Sequence, residues 1–151
     1  MQPRYRIWSK TEKRMVRTAD ILSIDYENEE TVVQKLFYED GLAVERDICN
    51  YRFKDTVFMQ STDIKDKNGK EIFEYDVVSL PQFGDLKPWT GVVKRMEGKW
   101  VIDTGKLSIT LWSEIEETEV LGNMFENPNL VVYRFVPTIS AFEVQEEQEQ
   151  A

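Results

Sequence analysis

"TGVVKRMEGKWVIDT", residues 90–104, decides the fold. Two short runs rich in β-branched and aromatic side chains flank Glu97-Gly98. A two-residue connection with glycine in second place suits the tight turn of a β-hairpin. Working outward, the punctuation is regular. "EYDVVSL" (74–80) ends at Pro81, which cannot donate to a ladder, and "GDLKP" (84–88) makes a loop. Gly105 separates the hairpin from "KLSITLW" (106–112), and "TEVLGNMF" (118–125) runs on to Asn127-Pro128. Five short strands in about fifty residues predict a small barrel of the SH3-like kind. Its core candidates are Trp100, Val101, Ile109, Leu111, Val120 and Leu121, with Trp89 and Trp112 expected to pack the barrel.

The N-terminal third also reads as strands. "RYRIW" and "KRMVRT" flank "SKTE" as a first hairpin, with Tyr5 and Ile7 on one face. In "ADILSIDY", Leu22, Ile24 and Tyr26 alternate with polar residues and share a face. "TVVQKLFY" fits a helix face too, but its β-branched and aromatic content favours a strand ended by Asp40-Gly41. "TVFMQS" (56–61) is a further strand. The expected fold is therefore mainly β, with α+β as the alternative. A β-rich subdomain (1–54) is followed by the barrel (55–135), then an extension with an acidic, disordered tail (136–151).

Composition limits the chemistry. The 151-residue chain contains no histidine and one cysteine. That removes Ser-His and Cys-His nucleophiles, His general bases and the usual zinc sets, so no enzyme is expected. Cys49 cannot form an internal disulfide and reads as a half-buried small hydrophobe in a reducing compartment. No apolar run is long enough to span a membrane, and "MQPRYRIWSKTEKRMV" offers no apolar leader core.

The net charge of -9 is unevenly distributed. Residues 1–17 carry +5, residues 18–50 carry -7, residues 51–110 are almost balanced and residues 111–151 carry -8. An acidic whole repels phosphate backbones, which disfavours duplex binding. The basic N-terminal hairpin still offers a contact surface for a single strand or a protein partner: Arg4, Tyr5, Arg6, Trp8, Lys13, Arg14 and Arg17. The plainer expectation is that these cations meet the protein's own carboxylates. Opposite-sign blocks can also pair between copies, which predicts a homo-oligomer. The acidic residues 111–151 as a mimic of DNA are a weaker option.

"KDKNGKEIFEYDVV" (65–78) invites a metal reading, with Asp63, Asp66, Glu71, Glu74 and Asp76 as the nearest carboxylate cluster. The calcium-loop spacing fails. With Gly69 as the anchoring glycine, Ile64 falls at the first ligand position and Tyr75 at the twelfth, where carboxylates are required. One glycine is no phosphate cradle either. What remains is a tight turn at Asn68-Gly69, with Ile72 and Phe73 entering the core and Asp76 accepting hydrogen bonds. No metal or cofactor is expected.

Three segments carry a family likeness: "RYRIWSKTEKRMV", "MQSTDIKDKNGKEIFEYDVV" and "EVLGNMFENPNLV". On these the chain resembles the YopX-like proteins of bacteriophages and prophages of Gram-positive bacteria. The resemblance implies a β-rich N-terminal part followed by an SH3-type barrel, a phage or prophage origin and a bacterial cytoplasm. It supplies no catalytic residues. Two positions depart from the family pattern. Thr62-Asp63 stands where relatives usually have Thr-Gly, and Glu74-Tyr75-Asp76 where they usually have Glu-Gly-Asp. "VVYRFVPTISAF" (131–142) extends beyond the shared pattern, and its apolar content suggests docking on the body or on a second subunit. The expected function is a non-catalytic, oligomeric protein-interaction module with an unidentified protein partner. Single-stranded nucleic acid binding is the alternative, and a carboxylate-based metal enzyme is a third reading.

Overall fold

The computed structural model describes residues 3–81, 88–112 and 117–131. The expected tail and most of the apolar extension lie outside the described residues. The protein is mainly β, and the chain divides into two compact units at Ser61/Thr62.

Unit one contains two small antiparallel sheets. Strands β1 (Tyr5–Ser9) and β2 (Arg14–Val16) form the first hairpin, as the sequence predicts. A 3₁₀ turn, Thr18–Asp20, leads into β3 (Ile21–Asp25). Then come β4 (Glu30–Glu39) and β5 (Leu42–Arg52), which pair along their whole length in the order β3-β4-β5. Strand β6 (Thr56–Lys65) begins in unit one, where Thr56–Gln60 pair with β1. The sheets meet across Ile7, Val16, Val33 and Tyr51, with Ile21, Cys49 and Phe58 packed against them. Cys49 is a half-buried free thiol, as expected.

Two readings of unit one need correction. Leu22 and Tyr26 are exposed, because a register shift between Ile21 and Ser23 breaks the alternation; Ile21 packs on the core instead. Strand β5 is absent from the sequence reading. "LAVERDICNYR" has no clean alternation, and its pairing with β4 makes it a strand. Beyond Val33, where β3 stops pairing, β4 and β5 continue as a two-stranded arm to the Asp40-Gly41 turn, both of whose residues have positive φ.

Unit two contains β7 (Glu71–Phe73), β8 (Asp76–Leu80), β9 (Trp89–Met96), β10 (Lys99–Asp103), β11 (Ser108–Thr110) and β12 (Glu119–Asn123). Five of these form one curled antiparallel sheet, a half-barrel, in the order β11-β10-β9-β8-β12. They are the five strands read from the sequence. Glu97 and Gly98 both take positive φ in the turn joining Met96 to Lys99. The core is Ile72, Val78, Val93, Ile102 and Leu111, with Trp100, Ile109 and Val120 packed against it. Leu121 is exposed, at the register shift between Val120 and Gly122. Trp89 and Trp112 are 37% and 47% exposed, so they are not core packing.

In the stretch 65–78, which holds β7 between two turns, Asp66 and Asp76 fasten the backbone. Asp66 Oδ1 accepts from the Asn68 and Lys70 N–H groups, and Oδ2 accepts from Val120 N–H. Gly69, at φ 82, closes the turn by donating to the Asp66 carbonyl. Asp76 Oδ2 accepts from Phe73 N–H, and Ile72 is fully buried. Asp66 is occupied by backbone donors, and no metal-holding group of three or more Asp, Glu, His or Cys exists among the described residues.

Candidate functional site

The candidate site lies in unit one, where the chain separates from the edge of β4. Upstream of Ile21 it turns through Thr18–Asp20 into β2, leaving the β4 edge beyond Val33 without a neighbouring strand among the described residues. Strand β2 is itself the edge of its sheet. Between them is a cavity of about 340 Å³ lined by Arg14, Met15, Arg17 and Asp20 on one side and Lys35, Leu36, Phe37 and Tyr38 on the other. Because side chains alternate along a strand, four consecutive β4 residues line the groove only if it runs along the strand's edge.

Two polar clamps hold the walls. At one end Arg14 donates to Tyr51 Oη (3.1 Å), Tyr51 donates to Glu12 (2.9 Å), and Lys35 pairs with the same Glu12 oxygen (2.8 Å). The Lys35 ammonium outweighs Glu12's partial burial, and with Tyr51 and Arg14 it holds the Glu12 carboxyl below its usual range. Burial, followed by the hydrogen bond to Glu12, raises the Tyr51 phenol, so it stays a neutral donor. At the other end Arg17 reaches Asp20 Oδ2 (3.3 Å), and Gln34 donates to Asp20 Oδ1 (3.2 Å). Arg17 thus meets one of the protein's own carboxylates, whereas Arg14 meets the Tyr51 hydroxyl. With Asp20 as its only lining acid, the groove still carries three cations.

Of the residues singled out from the sequence, Arg14 and Arg17 line this groove; the others do not. Arg4 is exposed, and its carbonyl accepts from Ser61 N–H. Tyr5 belongs to an aromatic cluster, edge-on to Phe58 at 5.9 Å, with Phe58 edge-on to Phe53 at 5.1 Å. Arg6 and Trp8 alternate onto the opposite face of β1 from Tyr5 and Ile7, and Arg6 Nε reaches Met59 Sδ at 3.4 Å. Lys13 is exposed in the turn, at φ 52. Lys35, Phe37 and Tyr38 were missed. The available signal was "KLFY" itself, a cation beside two aromatic rings.

Past the groove, the arm exposes Leu42 (70%), Tyr38 (58%), Val44 (58%), Ile48 (56%) and Phe37 (44%). A two-stranded hairpin is at best marginally stable alone in water, and these exposed side chains lie on both faces of the arm, Phe37 on one and Ile48 on the other. The groove offers cations, rings and a free strand edge. No described residue in it is arranged as a nucleophile with a base.

A family model described as YopX protein matches residues 4–132. The chain belongs to the YopX family. Two solved structures resemble this YopX chain. Protein EF1440 from Enterococcus faecalis is 23% identical with a TM-score of 0.60, covering 87% of this chain and 99% of that one. Protein yopX from Bacillus subtilis is 18% identical with a TM-score of 0.57, covering 84% and 96% respectively. At these identities the likeness is one of fold. None of the curated proteins matches the chain. No helix among the described residues is long and apolar enough to cross a membrane.

The segments that carry the sequence likeness have structural work within the fold. Asp66, Gly69 and Asp76 shape the turns around β7, as described above. In "EVLGNMFENPNLV", Asn123 Oδ1 accepts from the Phe125 and Glu126 N–H groups, and Asn127 Oδ1 accepts from Asn123 N–H. A side chain at Gly122 would collide with Asn127 and Leu130. These residues specify turns and close approaches. Asp63 and Tyr75, the two positions where the sequence likeness implies glycine, both hold left-handed backbone, at φ 64 and φ 69.

Proposed function

We propose that this YopX-family chain is a non-catalytic protein-interaction module of a phage or prophage, working as an oligomer in the bacterial cytoplasm. The observation that carries this reading is the β4–β5 arm, with five large apolar side chains exposed beyond the end of β3. The lack of histidine and the structural use of the Asp66 carboxylate support a role without catalysis. Light scattering over a concentration series tests it. Mass rising with concentration is expected, and a strict monomer at high concentration counts against the oligomer. Affinity capture with the wild-type chain against a Tyr38→Ser/Leu42→Ser variant tests for a different protein partner.

Single-stranded nucleic acid binding is the second reading, favoured by Arg14, Arg17 and Lys35 beside Phe37 and Tyr38. Tryptophan fluorescence titrated with oligonucleotides at low salt decides it. An unchanged signal, together with no change in oligonucleotide anisotropy, removes this reading.

A further inference from the structure

We infer that the groove between β2 and the free edge of β4 receives the C-terminal segment, residues 132–151, of a second copy of this chain. The inference rests on the oligomeric reading above and names the contact that would make the oligomer. It begins from the groove's chemistry. An unpaired strand edge next to a trough is the arrangement by which a sheet accepts an added extended peptide: main-chain hydrogen bonds give affinity and side-chain sites give specificity. Here the edge is β4 from Gln34 to Glu39, left open because β3 pairs no further than Val33. The trough beside it carries Met15, Leu36, Phe37 and Tyr38 as apolar contacts and Arg14, Arg17 and Lys35 as cations. Its occupant is thus an extended segment that is apolar in one part and acidic in another.

The chain's own sequence has one stretch of that composition outside the described residues. "VYRFVPTISAF" (132–142) supplies apolar and aromatic side chains, and "EVQEEQEQA" (143–151) adds Glu143, Glu146, Glu147 and Glu149 with no base. Only Arg134 opposes them. The complementarity extends to the chain as a whole, whose first 17 residues carry +5 and last 41 carry -8. Such opposite-sign blocks steer association and fix register between copies. The arm's other edge, along β5, is a poorer seat. Glu45, Arg46 and Asp47 are consecutive and exposed there, and charges at such an edge discourage strand pairing. Nucleic acid is the less favoured occupant, because the free edge offers backbone groups that a peptide matches and a phosphodiester does not.

The test is a charge exchange in the full chain. Arg17 is suited to it, because its side chain is 71% exposed; its reversal also takes the ion-pair partner from the buried Asp20, so the melting temperature is read alongside. Arg17→Glu alone, and Glu146→Lys/Glu147→Lys alone, are each expected to weaken self-association about tenfold or more; the tail variant leaves the melting temperature unchanged, and Arg17→Glu lowers it without unfolding the chain. A mixture of the two single-site chains pairs a wild-type groove with a wild-type tail, or a reversed groove with a reversed tail. It is expected to recover association, a result that misfolding cannot produce. A synthetic peptide of residues 132–151 should lower the mass of the wild-type oligomer, while a scrambled peptide should not. Association insensitive to both reversals and to the peptide overturns this inference and leaves the oligomeric reading intact. A monomer at every concentration overturns both. Binding of an oligonucleotide at this groove, with no effect of the peptide, overturns it in favour of nucleic acid.

Discussion

The Asp66 carboxylate accepts the backbone N–H of Val120 at 2.9 Å, joining the turn after β6 to β12 across 54 residues of sequence. The same side chain accepts from Asn68 and Lys70, so one buried carboxylate sets a hairpin turn and a long-range strand position together. Lys67 N–H donates to the Thr118 carbonyl beside it. The most recognisable stretch of the sequence is therefore a fastening within unit two.

Asp66→Asn should destabilise the fold by about 1.5–3 kcal/mol, the range for hydrogen bonds to a charged group. Asparagine keeps one acceptor oxygen, but its NH₂ then faces a backbone donor. Burial raises the Asp66 carboxyl, and the Val120, Lys70 and Asn68 N–H groups outweigh it, so the folded value lies below the ordinary one. The contribution is therefore complete above the unfolded-chain value of about 4 and is lost as pH falls through the lower folded value. Urea unfolding at pH 7 and pH 3 should show the gap between wild type and Asp66→Asn narrowing in acid. A gap independent of pH would remove the charge from the explanation.

Asp63 and Tyr75 hold backbone conformations that glycine adopts without penalty. Comparing Asp63→Gly with Asp63→Ala cancels the loss of the side chain. The glycine variant should be more stable by about 1 kcal/mol, near the cost of left-handed backbone for a residue with a Cβ. Tyr75→Gly should go the other way. It removes a half-buried ring standing edge-on to Phe125 at 5.7 Å, and that packing exceeds the relief of strain. Thermal melts of the three variants check both signs.

The half-barrel was legible because glycine, proline and β-branched runs are local signals. Each of its strands is bounded by residues whose backbone preferences do not depend on the rest of the fold. Strand β5 was not legible, because Glu45, Arg46 and Asp47 give no periodicity and only the ladder to β4 holds it extended. The groove has the same character. Arg14 and Lys35 are far apart in sequence, and their approach depends on Glu12 and Tyr51 bridging β2, β4 and β5. Composition marked the basic hairpin as a surface, but only the fold could separate Tyr5, packed among aromatic rings, from Arg17 in the groove.

Gly91→Ala should cost about 2–3 kcal/mol, in the range for overpacking a core. Gly91 has no positive φ, so its need is one of space. A Cβ there would come within 2.6 Å of Ile102 Cγ2 and 2.8 Å of the Asp103 carbonyl oxygen. Ile102 is buried, and Asp103 is held in the β9–β10 ladder. Gly98→Ala meets no neighbouring atom and loses only the freedom of its turn, so it should cost less. Denaturant unfolding of the two variants orders them, and equal costs would refute the packing argument.

Leu42→Ser and Ile48→Ser should leave the melting temperature of the dilute protein nearly unchanged while weakening self-association. Both side chains are more than half exposed on the arm, so their removal creates no core cavity in the isolated chain. Val33→Ala, on the same β4–β5 ladder but fully buried, provides the contrast. It should lower stability by about 2 kcal/mol or more through the cavity it leaves. Melting curves at low concentration, paired with sedimentation across a concentration series, separate the two effects. If Leu42→Ser or Ile48→Ser unfolded the dilute chain as Val33→Ala does, the arm would be part of the core and not a surface for another molecule.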